Sequence, residues 1–255
     1  MSGPGDAAFE IMNARAAGPA VIVCEHASNH IPDKYDGLGL YRAARDSHVV
    51  WDPGAEGVAQ RLAGALDAPM IAGRISRLVY DCNRPPEAAS AIPAHSAGIN
   101  VPGNAGLSAE ARAARIGEVY APFTRALDHL IARRRRAGTP FALITLHSFT
   151  PVWQGVPRTV EIGILHDADH RLADAMLSEP GPGRAIMRNA PYGPEDGVTH
   201  TLRRHGQDKA LPNVMIEIRN DLTTTVAEQA EIARFLASML RPALARIGVT
   251  EAHDA

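Results

Sequence analysis

Five short stretches of the 255-residue sequence gather side chains that can hold a cation, move a proton or grip an anion. Glu25-His26, with Asn29 and His30 close behind, follows an unbroken apolar run, Ala20-Val-Ile-Val-Cys24. A charge and imidazoles at the tip of a buried strand cost free energy unless a metal, a ligand or a hydrogen-bond network uses them. His147 ends a second apolar run. Two strand-tip histidines from distant positions can meet on one Zn²⁺, as a catalytic site with three protein ligands and an open position requires. Singly, each reads more readily as a hydrogen-bonded core histidine. Asp52, in Trp51-Asp-Pro-Gly-Ala55, has the form of a helix N-cap before proline. It is also the leading third metal ligand, with Glu25 the alternative. Glu217 sits among apolar neighbours in Val214-Met-Ile-Glu-Ile-Arg219, where an ionised carboxylate is seldom left unpaired. Beside a metal-bound water it can take the water's proton and return it to a leaving amine. The competing role is a buried pair with an arginine, Arg219 sharing its face by strand period. Arg77, Asn83 and Arg84 suit bidentate recognition of a substrate carboxylate. Against that stands an internal Arg77–Asp81 salt bridge that only holds the loop.

These groups need a frame, and the apolar patterning supplies one. Strands are expected at 20–24, 68–72, 76–81, 141–147, 160–166 and 214–219. Helices are expected at 54–66 (Val58, Leu62 and Leu66 on one face), at 108–136 in one piece or two, at 168–178 and at 224–247. Strands alternating with helices imply βαβ units. The fold class is therefore α/β, a single-domain three-layer sandwich with a mixed, mostly parallel central sheet. In open sheets of this kind the strand ends form the ligand-binding rim, where all the polar clusters fall. Residues 1–17 read as a loosely ordered arm and 18–250 as one domain. Two segments, 82–107 and 179–213, are dense in Pro, Gly and small residues. Loops of that length within one domain usually cover a site.

Composition narrows the class. Net charge is −2 with both signs interspersed, so the clustered basic footprint of a nucleic-acid binder is missing. The run Arg133 to Arg136 ends a helix, where cations complement the dipole, and reads as a solvated helix end. Two cysteines, Cys24 and Cys82, rule out a disulfide framework and point to a reducing compartment. No apolar run approaches the ~20 residues of a membrane span. The first residues lack a signal-peptide pattern, so a cytoplasmic protein with no membrane partner is expected. No GxSxG elbow is present.

Taken in order, Val23-Cys-Glu-His-Ala-Ser-Asn-His-Ile-Pro32, Trp51-Asp-Pro-Gly-Ala55, Ser76-Arg-Leu-Val-Tyr-Asp-Cys-Asn-Arg-Pro85, Leu146-His-Ser-Phe-Thr-Pro151 and Ile216-Glu-Ile-Arg-Asn-Asp-Leu222 resemble the N-formylglutamate amidohydrolase family. The likeness spans roughly residues 18 to 245. That family is similar in fold to zinc carboxypeptidases, with a phosphorylase/hydrolase-like sheet between helical layers. The resemblance implies a zinc-dependent amidohydrolase acting on a small acidic N-acyl amino acid such as N-formylglutamate, in histidine degradation. It implies that His26 and His147 are zinc ligands, that Glu217 is the general base and that Asn83-Arg84 grips a carboxylate. Carboxypeptidases carry a glutamate three residues after the first zinc histidine. Here Asn29 stands there, so the third ligand must come from Asp52 or Glu25. Arg84 or Arg219 would then neutralise the oxyanion. The alternatives are another N-acyl or γ-glutamyl substrate, or a non-catalytic binder of acidic amino acids.

Overall fold

The computed structural model describes residues 6–178, 181 and 183–250. A seven-stranded mixed sheet lies at its centre. In chain order the strands are β1 (Phe9–Met12), β2 (Ala20–Cys24), β3 (Met70–Gly73), β4 (Ala142–Phe149), β5 (Ile162–Leu165), β6 (Ile186–Arg188) and β7 (Asn213–Arg219). Across the sheet they run β1-β3-β2-β4-β7-β5-β6. The four central strands, β3, β2, β4 and β7, are mutually parallel. On one side β1 runs antiparallel to β3; on the other β5 runs antiparallel to β7 and is joined in parallel by β6. The helices are α1 (Ala55–Ala65), α2 (Ala109–Arg115), α3 (Ala121–Arg136), α4 (Arg171–Leu177) and α5 (Val226–Arg246).

The unbroken apolar runs make sense because both sheet faces are covered. Every residue of β2 and β4 is buried. Alternation sends Ala20, Ile22 and Cys24 of β2 and Val214, Ile216 and Ile218 of β7 to one face, against α1, α4 and α5. Val21, Val23 and Leu143 turn the other way, onto Phe123, Leu127 and Ile131 of α3. Each large aliphatic side chain removed from water contributes roughly 1.5–3 kcal/mol. A double core on that scale can carry a few buried charges at one edge. Helix α5 starts at a capping box: Thr225 Oγ1 accepts from the Glu228 amide at 3.2 Å, and Glu228 returns its carboxylate to the Thr225 amide at 2.8 Å. Among the described residues no helix is long and apolar enough to cross a membrane.

Several expectations change. Of the arm 1–17, residues 1–5 lie outside the described residues, but Phe9–Met12 is an edge strand in register with Met70–Gly73. Arg134 helps explain it. Rather than ending a helix in solvent, this arginine is buried and donates to the carbonyls of Ala16, Ala17 and Gly18, stitching the arm to α3. The stretch 76–81 is not a strand. Ser76 Oγ donates to the Val50 carbonyl, while the Val79 and Tyr80 amides bond back to the Ser76 carbonyl, giving a turn. Leu78, Val79 and Tyr80 are buried under the loops instead of in a ladder. The helical stretch over 108–136 takes its two-piece form, α2 and α3 joined by a π-helical turn, Ile116–Tyr120.

Both long loops carry structure. The segment 82–107 contains a small ribbon pairing His95-Ser96 with Ile99-Asn100. In the segment 179–213, residues 179, 180 and 182 lie outside the described residues; the remainder includes β6 and the π-helical turn Leu202–Gly206.

Candidate metal centre and catalytic cavity

The parallel strands β2, β4 and β7 end at one rim, and the chemistry sits there. His26 leaves the tip of β2, His147 lies near the end of β4, and Glu217 is paired in register with His147 on β7. Strand period puts Glu217 and His147 on the sheet face that the loops cover, opposite Ile216 and Leu146. Asp52 comes from the turn before α1, and its amide donates to the His26 carbonyl at 3.0 Å, coupling the two segments. The helix-capping role foreseen for Asp52 does not occur. The N-cap of α1 is Gly54, whose φ of +79° is left-handed and where a Cβ would lie 2.2 Å from Thr223 Oγ1. Only glycine fits, and the turn it makes directs the Asp52 carboxylate inward. Gly73 serves a related need, since a Cβ there would lie 2.1 Å from the Glu25 carbonyl oxygen.

Three buried groups converge. His26 Nδ1 lies 3.2 Å from Asp52 Oδ2, His147 Nδ1 lies 2.9 Å from the same oxygen, and the two Nδ1 atoms are 3.2 Å apart. Each imidazole is backed through its other nitrogen. His26 Nε2 meets Asp81 Oδ1 at 2.8 Å, and His147 Nε2 lies 3.2 Å from Glu25 Oε2. A carboxylate behind the ring favours the tautomer that keeps the proton on Nε2 and frees Nδ1 for a metal. Asp81 does this by a hydrogen bond, whereas Glu25 stands close to His147 Nε2 without hydrogen-bond geometry. Two lone pairs and a carboxylate oxygen at mutual contact repel one another unless positive charge lies among them. The charge balance asks for the same thing. Glu25, Asp52 and Asp81 are buried, and among the described residues Arg77 is the one guanidinium paired with them, donating to Asp52 at 3.1 Å and to Asp81 at 3.0 Å. With both imidazoles neutral, as metal ligands must be, two negative charges are left over. Zinc-to-nitrogen bonds of ~2.1 Å in a tetrahedron imply donor separations of about 3.4 Å, and those of His26, Asp52 and His147 are close to that. The residues fit a divalent cation.

Electrostatics without the cation tell the same story. Burial would lower the His147 pKa, but the Glu25 and Asp52 carboxylates raise it well above the ordinary value. Burial likewise works against ionised Asp52, yet His26, His147 and Arg77 hold its carboxyl far below the usual range. Glu217 behaves differently. Burial pushes it up to about 7, with Asp52 adding to the rise while His147 and Arg77 oppose it. Its Oε2 is buried and finds no hydrogen-bond partner among the described residues. A carboxyl poised near neutrality and lining the same cavity as His26, Asp52 and His147 is equipped to exchange protons.

These groups line a cavity of ≈ 170 Å³ together with His48, Arg84, Phe149 and Tyr192. A larger open hollow of ≈ 550 Å³, between β1 and α3, lies away from this chemistry. The residues foreseen as a carboxylate clamp fare unequally. Arg77 lines the cavity, but its fork is spent on Asp52 and Asp81, the internal salt bridge that had been weighed against substrate binding. Asn83 also lines it, yet its amide joins the covering loops, donating to the Val198 carbonyl at 2.5 Å and accepting from the Thr201 amide at 2.9 Å. Arg84 donates only one contact, to the Asn83 carbonyl at 2.9 Å. Arg219 does not line the cavity. It is tied to Asp221 at 2.8 Å and to the Arg158 carbonyl at 3.2 Å, with Glu161 at 3.8 Å, at the point where β7 ends and the chain enters a 3₁₀ turn at Asn220–Leu222. Asn29 lies outside the cavity, beside His30 in a separate surface hollow.

Sequence reasoning did not single out His48 or Tyr192, and it missed Glu25 and Asp81 as braces for the histidines. The carboxylates carried a signal, an acid next to or following an apolar run. The other two sit in loops with no periodic context.

The mixed α/β sheet with this cluster at its parallel rim is an arrangement suited to hydrolytic chemistry. The chain belongs to the N-formylglutamate amidohydrolase family, whose sequence profile matches residues 18–224. A crystal structure of a gene product from Agrobacterium tumefaciens is 50% identical, with a TM-score of 0.95, covering 97% of this chain and 99% of that one. The N-formylglutamate amidohydrolase from Ralstonia eutropha JMP134 shares the fold at 20% identity, with a TM-score of 0.62, covering 95% of this chain and 100% of that one. None of the curated proteins matches the chain.

Proposed function

We propose that the chain hydrolyses the amide of a small N-acylated acidic amino acid, N-formylglutamate first, with zinc held by His26, Asp52 and His147. The observation that carries this reading is the convergence of both bare Nδ1 atoms on Asp52 Oδ2 beside a carboxyl, Glu217, raised to about 7. When bound, such an ion lowers the pKa of a water and polarises the acyl oxygen. Glu217 takes a proton from the attacking water as its oxygen bonds to the acyl carbon. It passes that proton to the amide nitrogen as the C–N bond breaks, releasing formate and glutamate. Arg77, held on the cavity wall by two carboxylates, lends the developing oxyanion its positive charge rather than a hydrogen bond, a role Arg219, which lies off the cavity, cannot fill. Arg84, with donors uncommitted among the described residues, takes a substrate carboxylate. Asn83 holds the two loops together over the site and keeps water out.

The cavity's size favours a single acyl amino acid. At ≈ 170 Å³ it falls below the ~300 Å³ at which pockets for drug-sized ligands begin, so a γ-glutamyl polymer fits the observations less well. Purified protein loaded with zinc should release formate and glutamate in equal amounts from N-formylglutamate, stop when a chelator strips the metal, and recover on re-addition. Cleavage of a different N-acyl amino acid with no formate from N-formylglutamate would overturn the substrate; turnover indifferent to chelation would overturn the metal.

A further inference from the structure

An N-formyl dicarboxylic amino acid brings two carboxylates into the cavity, and the residues assigned so far account for one. Arg77 is spent on Asp52 and Asp81, and Asn83 on the loop backbone. That leaves Arg84. A second donor stands on the wall built by the segment after β6. Tyr192 lines the cavity, and its hydroxyl oxygen accepts from Arg158 at 3.1 Å. Because that oxygen is the acceptor, its own proton is left to be given away, and no acceptor among the described residues takes it. Arg158 is itself fixed in place. Its guanidinium donates to the Thr150 carbonyl at 3.3 Å and stacks on Phe149, Trp153 and Tyr192 at 4.9–5.3 Å from the ring centroids. Phe149 and Thr150 line the same cavity. A cation packed among aromatic rings keeps its charge while losing freedom. Donation from a guanidinium strengthens the phenol as a donor to an anion.

We propose that Tyr192, positioned by Arg158, is the second anion-recognising donor of the cavity: it holds the side-chain carboxylate of a dicarboxylic acyl amino acid while Arg84 holds the α-carboxylate. This rests on the reading that the substrate is such an acid. Tyr192 is the group that touches substrate. Arg158 acts through it, by orienting the hydroxyl and adding positive potential to that wall. The hairpin pairing Val152-Trp153 with Val156-Pro157 thereby becomes part of the specificity apparatus, since its Trp153 closes the stack on Arg158.

The discriminating pair of substrates is N-formylglutamate and N-formylglutamine, equal in length and differing only in the side-chain charge. Tyr192→Phe should raise KM for N-formylglutamate by roughly tenfold or more, the worth of a hydrogen bond to a charged group. Its kcat should stay within about twofold and KM for N-formylglutamine should be unchanged. Arg158→Met should give the same split, and Arg158→Lys should restore part of the preference by restoring the charge. Equal losses on both substrates, or no loss on either, would overturn the proposal. Should the wild type cleave neither compound, the functional reading fails separately. Calorimetric binding of free glutamate then decides: roughly tenfold weaker binding to Tyr192→Phe upholds the donor role, while equal affinity, or no glutamate binding by the wild type, overturns it.

Discussion

The metal trio and the wall that would meet substrate are built in opposite ways. His26, Asp52 and His147 are each at most 3% exposed, and each has a charged partner behind it: Asp81 hydrogen-bonded to His26, Arg77 to Asp52, and the Glu25 carboxylate 3.2 Å from His147. Arg84, His48 and Tyr192 are only partly buried, come from loops, and keep polar atoms uncommitted among the described residues. Chemistry that depends on ångström placement is tied to strand ends, and recognition is left to connections that can vary. Nothing in the core distinguishes the two regions; the difference lies in how many partners each side chain has.

That contrast can be broken at graded points. The largest effect is expected from His147→Ala, which removes a ligand and strands Glu25 as a buried charge; bound zinc per chain should fall toward zero and hydrolysis with it. Metal analysis on protein purified without chelator checks this. Next comes Glu217→Gln, which should retain zinc and fold while kcat falls about 10²–10⁴-fold. Asp81→Asn tests the bracing itself. It leaves every ligand in place, yet weaker support for His26 should lower zinc affinity roughly 10- to 100-fold, measured by competition with a chromophoric chelator.

A pH profile sharpens the role of Glu217. A base must be ionised, so the rate should rise with pH as Glu217 loses its proton. Burial lifts that carboxyl to about 7 in the metal-free protein, and a nearby cation favours the anion. The acid limb should therefore have its midpoint no higher than about 7 and should vanish in Glu217→Gln. The smallest catalytic effect belongs to the core. Leu62→Ala, on the fully buried face of α1, should lower stability by about 2–5 kcal/mol in denaturant titrations and leave KM unchanged.

The frame was legible where apolar runs were unbroken. β2, β4 and β7 could be read to within two residues because strands covered on both faces have no other way to place so many aliphatic side chains. His26, His147 and Glu217 followed, since polar groups at the ends of such runs are expensive without a purpose. Legibility failed where burial comes from loops. Ser76–Asp81 has strand-like composition but closes on the Ser76 carbonyl, which period alone does not reveal. Phe9–Met12 looked like an arm because an edge strand of four residues is too short to show alternation. Arg219 shares the Glu217 face by period and is lost to the site because the strand ends at that residue and the chain turns. Whether a polar side chain is already committed, as with Arg77 and Asn83, depends on partners dozens of residues away and is invisible in any short stretch.

The most direct test is anomalous diffraction at the zinc edge from crystals of the protein grown with zinc. The expected result is a single strong peak among His26 Nδ1, His147 Nδ1 and the Asp52 carboxylate, with Glu217 facing it. Crystals with no peak there, or with the ion seated on other residues, would contradict the assignment of this cluster as the catalytic metal centre.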